Sequence, residues 1–218
     1  GSFYANSPVT GMWETFVVKD VVNYIDKSFR TIPKAEARGI AGFSMGGAAA
    51  IHIGLKHANI FKHMFALSPS IFGRDGAKGV IPVMEKGGWS RFIEGYGAAF
   101  APNPHDKNKP YVSWNPDNEA VVSMWDRGLG NWKVKVGNYV KGSDFLTSMH
   151  FEYGAKDRFS WIPEGTKYLT DMLQNRGATI EVVDHNGGHD IKELQAKHMV
   201  DFFNKAFGLT AKAAVTKP

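Results

Sequence analysis

Residues Gly42-Phe43-Ser44-Met45-Gly46 carry the pattern Gly-x-Ser-x-Gly. A serine hydroxyl is a weak nucleophile, and this pattern serves it only in one setting, a sharp turn from a strand into a helix. There the hydroxyl stands exposed, and the helix behind it offers its dipole and free N–H groups to a developing oxyanion. Ser44 is therefore the candidate nucleophile and the Met45 N–H the candidate oxyanion donor. Gly42 and Gly46 are expected to be glycine because side chains there would collide across so tight a turn. The competing reading is a glycine-rich phosphate loop. The spacing gives neither Gly-x-Gly-x-x-Gly nor a following Gly-Lys-[Ser/Thr], so that reading is disfavoured.

A serine nucleophile needs a base, and the base needs an orienting acid. In elbow enzymes the acid follows the serine in the chain and the histidine comes last. The loops after the later strands are the places to search, because ligands bind at the carboxyl ends of a parallel sheet. Tyr153-Gly154-Ala155-Lys156-Asp157 puts Asp157 just past a predicted strand. Asn186-Gly187-Gly188-His189-Asp190 puts His189 in the next such loop, with two glycines expected to give the imidazole backbone freedom. Glu152, Asp144 and Asp184 compete as carboxylates, although Glu152 falls inside a strand. His185 reads as a rim side chain. His185, His189 and Asp190 as metal ligands are disfavoured, since the four-residue spacing lies in a Gly-Gly loop rather than on a helix. His52, His57 and His63 read as solvent-exposed, and His198 as a hydrogen-bonded packing residue on the last helix.

The elements that must position these groups follow from periodicity. Apolar residues at Trp13, Phe16, Val17, Val21, Ile25 and Phe29 give a helical period over 12–29, closed by Pro33. A buried strand is expected at 38–43, a small-residue helix at 45–57 and a second strand at 61–67. Together they form a βαβ unit of the kind that builds parallel sheets. A strand at 146–153, a helix at 164–176 ending at Gly177, a strand at 178–184 and a helix at 190–207 continue the alternation. Residues 70–145 differ, being rich in Gly, Pro, Asn and aromatics, with one helix-like piece at 115–127. They read either as an insertion packing its own aromatics or as a cap over a pocket, since long irregular segments are often binding loops.

Composition narrows the classes further. The chain has 218 residues, the length of one α/β domain, with 26 Lys and Arg against 21 Asp and Glu for a net charge of +5. The basic residues are scattered, which disfavours a nucleic-acid partner. The absence of cysteine rules out thiolate zinc sites, iron–sulfur clusters, disulfides and a cysteine nucleophile. No apolar run approaches 18 residues, so no membrane-spanning helix is expected. No basic-then-apolar leader opens the sequence.

Five segments carry a resemblance. They are Ser2-Phe3-Tyr4-Ala5-Asn6-Ser7-Pro8, Arg38 to Gly47, Ala66-Leu67-Ser68-Pro69, Tyr153 to Asp157 and Gly187-Gly188-His189-Asp190. In them the sequence resembles the putative-esterase branch of the α/β-hydrolase superfamily, which includes esterase D-type thioesterases, feruloyl and acetyl-xylan esterases and antigen 85 mycolyltransferases. The resemblance implies a three-layer sandwich with a mainly parallel sheet, nucleophile Ser44, acid Asp157 and base His189; no cofactor or metal is expected. It also implies an upstream half of the sheet, ahead of the helix at 12–29, that supplies a second oxyanion donor. This sequence begins after that half. The strand at 38–43 is accordingly expected to have a bare edge, open to self-association or strand complementation. Loss of one oxyanion donor costs ~10²–10³ in rate.

The expected activity is hydrolysis of a small carboxylic ester through an acyl-enzyme, with the aromatic segment suiting feruloyl or other aromatic or short acyl groups. Acyl transfer by the same triad and a non-catalytic fragment or binding module are the alternatives. The fold alone does not choose between them.

Overall fold

The computed structural model describes residues 2–209. A short antiparallel pair, β1 (Asn6–Ser7) and β2 (Gly11–Met12), leads into α1 (Trp13–Thr15), a π-helical stretch Phe16–Val21 and α2 (Val22–Ser28). β3 (Gly39–Phe43), α3 (Met45–Lys56) and β4 (His63–Leu67) then form the expected strand–helix–strand unit. After residues 70–145 come β5 (Ser148–Gly154), α8 (Trp161–Gln174), β6 (Glu181–His185) and α9 (Glu193–Ala206). The last helix starts three residues later than its apolar period suggests, because the Gln195 side chain accepts the Lys192 N–H and sets its first turn.

β3, β4, β5 and β6 pair in parallel in that order. β4 is buried along its whole length, and its alternate residues face different layers. Met64 and Ala66 join the core with α3, α8 and the helix at 132–141, whereas Phe65 and Leu67 pack with Phe202 of α9. Two helical layers therefore sandwich the sheet. α9 lies so close that a Cβ on Gly39 would overlap the Phe203 ring. Among the described residues β3 is an edge strand, paired with β4 alone.

Residues 70–145 are more helical than their Gly and Pro content suggests. They fold into α4 (Gly76–Lys86), α5 (Ser90–Phe100), α6 (Glu119–Asp126) and α7 (Trp132–Lys141). α6 begins at Glu119 rather than near Pro116, because the Asn118 side chain accepts the Ala120 and Val121 N–H groups and caps it. The aromatics of this segment do not pack only with one another. Tyr96, Trp125 and Trp132 are buried in a cluster continuous with Ile51, Met64 and Phe151 of the sheet layer. The N-terminal segment joins the same cluster, with Phe3 edge-on to Phe92 and Tyr96.

The helix over 13–28 buries little of its apolar face. Phe16, Tyr24, Ile25 and Phe29 are exposed, and Arg38 at the start of β3 ties α2 down through an ion pair with Asp26. Among the described residues no helix is long and apolar enough to cross a membrane.

Candidate active site

β3 delivers Ser44 to its own C-terminal end, and α3 starts immediately after it. Ser44 has φ 56 and ψ −116, a conformation that L-residues rarely adopt. The surroundings over-determine it: the Ser44 N–H donates to the Leu67 carbonyl, and the Ser44 carbonyl accepts from the Ala48 and Ser70 N–H groups. The turn needs glycine at two points, and one differs from expectation. A Cβ on Gly42 would drive into the Gly46 carbonyl. Gly46 itself faces open space, whereas a Cβ on Gly47 would lie 2.9 Å from the Leu67 carbonyl oxygen. The constraint sits one residue further on because α3 presses against the end of β4 through Gly47.

β5 places Asp157 just beyond its end, and the loop after β6 carries His189 back over it. His189 Nδ1 lies 2.6 Å from Asp157 Oδ2, and His189 Nε2 lies 2.9 Å from Ser44 Oγ. With the carboxylate accepting from Nδ1–H, Nε2 presents its lone pair to the serine hydroxyl. The Asp157 side chain is fully buried, and its second oxygen accepts the Phe159 N–H. The Met45 N–H opens α3, where first-turn donors have no intrahelical acceptor.

The glycines of the histidine loop serve close approach rather than freedom. A Cβ on Gly154 would strike the Gly187 and Gly188 carbonyls, and the Lys156 N–H pins the Gly187 carbonyl at 2.9 Å. The acid loop and the base loop are thus zipped together. Two aromatic rings hold the imidazole: Phe43 at 4.7 Å between centroids and Phe159 edge-on at 4.8 Å. Trp89, at the start of α5, packs edge-on against Phe159 at 4.9 Å and brings residues 70–145 to the site. Phe159 and Trp89 carry no motif, and only their neighbourhood to Asp157 and to the aromatic run marks them.

The competing side chains lie elsewhere. Glu152 is buried on the α9 side of the sheet, 3.0 Å from His198 Nδ1 and 3.4 Å from His150 Nε2. Burial works to raise its pKa, but these hydrogen bonds hold it below the usual range. His198 thus takes the packing role expected of it. Asp184 is exposed, and Asp144 pairs with Lys62. The Gly187 N–H donates to His185 Nδ1. The other histidines are not free in solvent. His63 is buried between Ser148 Oγ and the Glu36 carbonyl, and His52 and His57 both contact the buried carboxylate of Glu14 at 3.1 and 2.8 Å. Their positions at the end of α3 face α1, which the helical period of α3 alone did not show. No group of three or more His, Asp or Glu among the described residues has metal-site geometry.

A family model described as putative esterase matches residues 3–208. The chain belongs to this family. An esterase of Mycobacterium tuberculosis strain H37Rv is 39% identical over 49 residues, which are 22% of this chain and 11% of that protein. A ferulic acid esterase structure matches with TM-score 0.57 and 19% identity, covering 94% of this chain and 65% of the other. An S-formylglutathione hydrolase from Staphylococcus aureus matches with TM-score 0.58 and 17% identity, covering 95% and 67%. These likenesses show that this member of the esterase family has the α/β-hydrolase fold. The chain spans about two thirds of the length of these solved relatives.

Proposed function

We propose that the chain is a serine carboxylic-ester hydrolase that works through an acyl-enzyme. One observation carries this reading, the unbroken line of hydrogen bonds from Asp157 through His189 to Ser44 Oγ. His189 Nε2 takes the Ser44 proton as Oγ attacks the ester carbonyl, and Asp157 stabilises the imidazolium. The Met45 N–H receives the negative charge on the carbonyl oxygen. His189 then returns the proton to the departing alcohol, and water repeats the sequence to release the acid. The exposed Trp89 ring, packed on the half-buried Phe159 ring that lies against His189, supports an aromatic acyl group as substrate, with residues 70–145 forming a cap on a single α/β domain. The test is Ser44→Ala. It should abolish p-nitrophenyl ester turnover and fluorophosphonate labelling while leaving the circular dichroism spectrum unchanged; a variant that still turns over rules the mechanism out.

The open edge of β3 and the exposed apolar face of the helix at 13–28 support a second element of this reading, pairing with a strand of another copy of the chain. Sedimentation should show concentration-dependent association that Ile25→Glu and Phe29→Glu weaken. A strictly monomeric chain at all concentrations would contradict it.

A further inference from the structure

A cavity of about 480 Å³ lies at the far end of α3 from Ser44, between α3, α7 and the turn Gly142–Asp144. Its nearest lining residue on α3, His52, comes eight positions after Ser44, about 12 Å along the helix. None of its lining residues belongs to the triad or to the rings around His189. Leu55, Ala58, Trp132 and Tyr139 make its apolar wall, and the Asn59 and Asn138 side chains add amide donors.

The charges around this cavity are mostly committed elsewhere. Glu14 of α1 holds His52 at 3.1 Å and Lys56 at 2.7 Å, and Asp144 pairs with Lys62 at 3.6 Å. Burial lowers the pKa of His52 below its ordinary 6.5, so it is neutral near pH 7. Lys135 of α7 is different. Its ammonium donates to the Gly128 carbonyl and sits 4.4 Å over the Trp132 ring, but among the described residues it makes no ion pair. An ammonium has three N–H donors, and a single carbonyl leaves capacity that the fold does not use. Asp126 of α6 attracts Lys135 only at longer range, since its Oδ1 is taken by the Ala77 N–H at 2.6 Å. Burial outweighs that attraction and pushes the Lys135 ammonium down to about 7.

We infer that this cavity binds a small monocarboxylate with an apolar body, its carboxylate on the Lys135 ammonium and its body against Trp132, Tyr139 and Leu55. One uncommitted cation matches one negative charge, and the apolar wall suits a ring or short chain better than a phosphate dianion. The volume falls in the range of small-molecule sites, roughly 300–1,000 Å³. Binding would draw Lys135 into its charged form, so the complex takes up a proton where the free amine is partly neutral. The inference stands on this cavity and does not depend on the reaction at Ser44.

Isothermal titration of the 218-residue chain with trans-cinnamate, in two buffers of different ionisation enthalpy, reads binding and proton uptake together. Saturable one-to-one binding is expected, with uptake approaching about half a proton at pH 7, more at pH 8 and none near pH 5.5. Cinnamyl alcohol and acetate should each bind at least about tenfold more weakly, as should cinnamate to Lys135→Met, which should also show no uptake. Binding at the triad is common to both chains and cancels in that comparison. Absent binding, equal binding by the variant, or acetate binding as tightly as cinnamate would overturn the site. Should Lys135→Met not fold, the pH trend in the unaltered chain decides: uptake growing from pH 7 to pH 8 is that of Lys135, and uptake shrinking over that range belongs to His52 and refutes the assignment.

Discussion

His189 Nε2 stands 2.9 Å from Ser44 Oγ although 145 positions separate the two residues in the chain. Parallel pairing creates this contact. Because β3, β4, β5 and β6 run the same way, the turns after β3, β5 and β6 all emerge at one rim, and the side chains they carry converge there.

In the proposed mechanism Asp157 fixes the tautomer that lets Nε2 accept the serine proton. Asp157→Asn should preserve the fold and lower kcat by roughly 10⁴, because the amide favours the wrong tautomer. Fluorophosphonate labelling should slow in parallel, which steady-state and labelling kinetics together would check.

The glycines of the elbow are unequal. Gly46→Ala should be accepted, keep the labelling rate and leave the melting temperature within a few degrees, since a Cβ there meets nothing and alanine favours a helix by up to ~1 kcal/mol. Gly42→Ala should cost about 3 kcal/mol or more, because its Cβ would enter the Gly46 carbonyl. Urea unfolding of the two variants makes the comparison.

Glu14 makes stability depend on acid. Its burial works to raise the carboxyl, but hydrogen bonds from His52, Lys56 and His57 win and hold it well below the usual carboxylate range. A pKa depressed on folding adds stability that is complete above the unfolded value of 4.5 and is lost progressively as the pH falls below it. Glu14→Gln should therefore cost about 2–3 kcal/mol at pH 7, with the difference from the parent narrowing below pH 4.5. Unfolding curves at pH 7 and pH 4 test both the size and the sign.

Trp89 is the residue that segment 70–145 places against Phe159. Trp89→Ala should lower kcat/KM for a cinnamoyl ester about tenfold relative to an acetyl ester, the value of one aromatic contact. Equal losses for both esters would mean that the indole only braces Phe159.

Much of this protein is legible in the order of its residues. The order Ser44, Asp157, His189, each behind a predicted strand, singles out the three polar groups, because period-2 and period-3.6 patterns are local and the elbow's glycines are adjacent in the chain. The strands lie within a few residues of their expected places. Local pattern misjudged residues 70–145, where burial of Tyr96, Trp125 and Trp132 against the sheet supports helices that Gly and Pro content disfavours.

What remained for the tertiary structure was every contact between elements distant in the chain. Glu14 finds His52 and His57 across 38 and 43 positions, Phe159 and Phe43 close on one imidazole, and Gly47 rather than Gly46 meets the end of β4. Propensity records what a segment tends to form, whereas the partner of a buried charge or the neighbour of a Cβ depends on how finished elements pack. Residue types and their order determined which chemistry was available to this chain, and packing decided which atoms stand close enough to perform it.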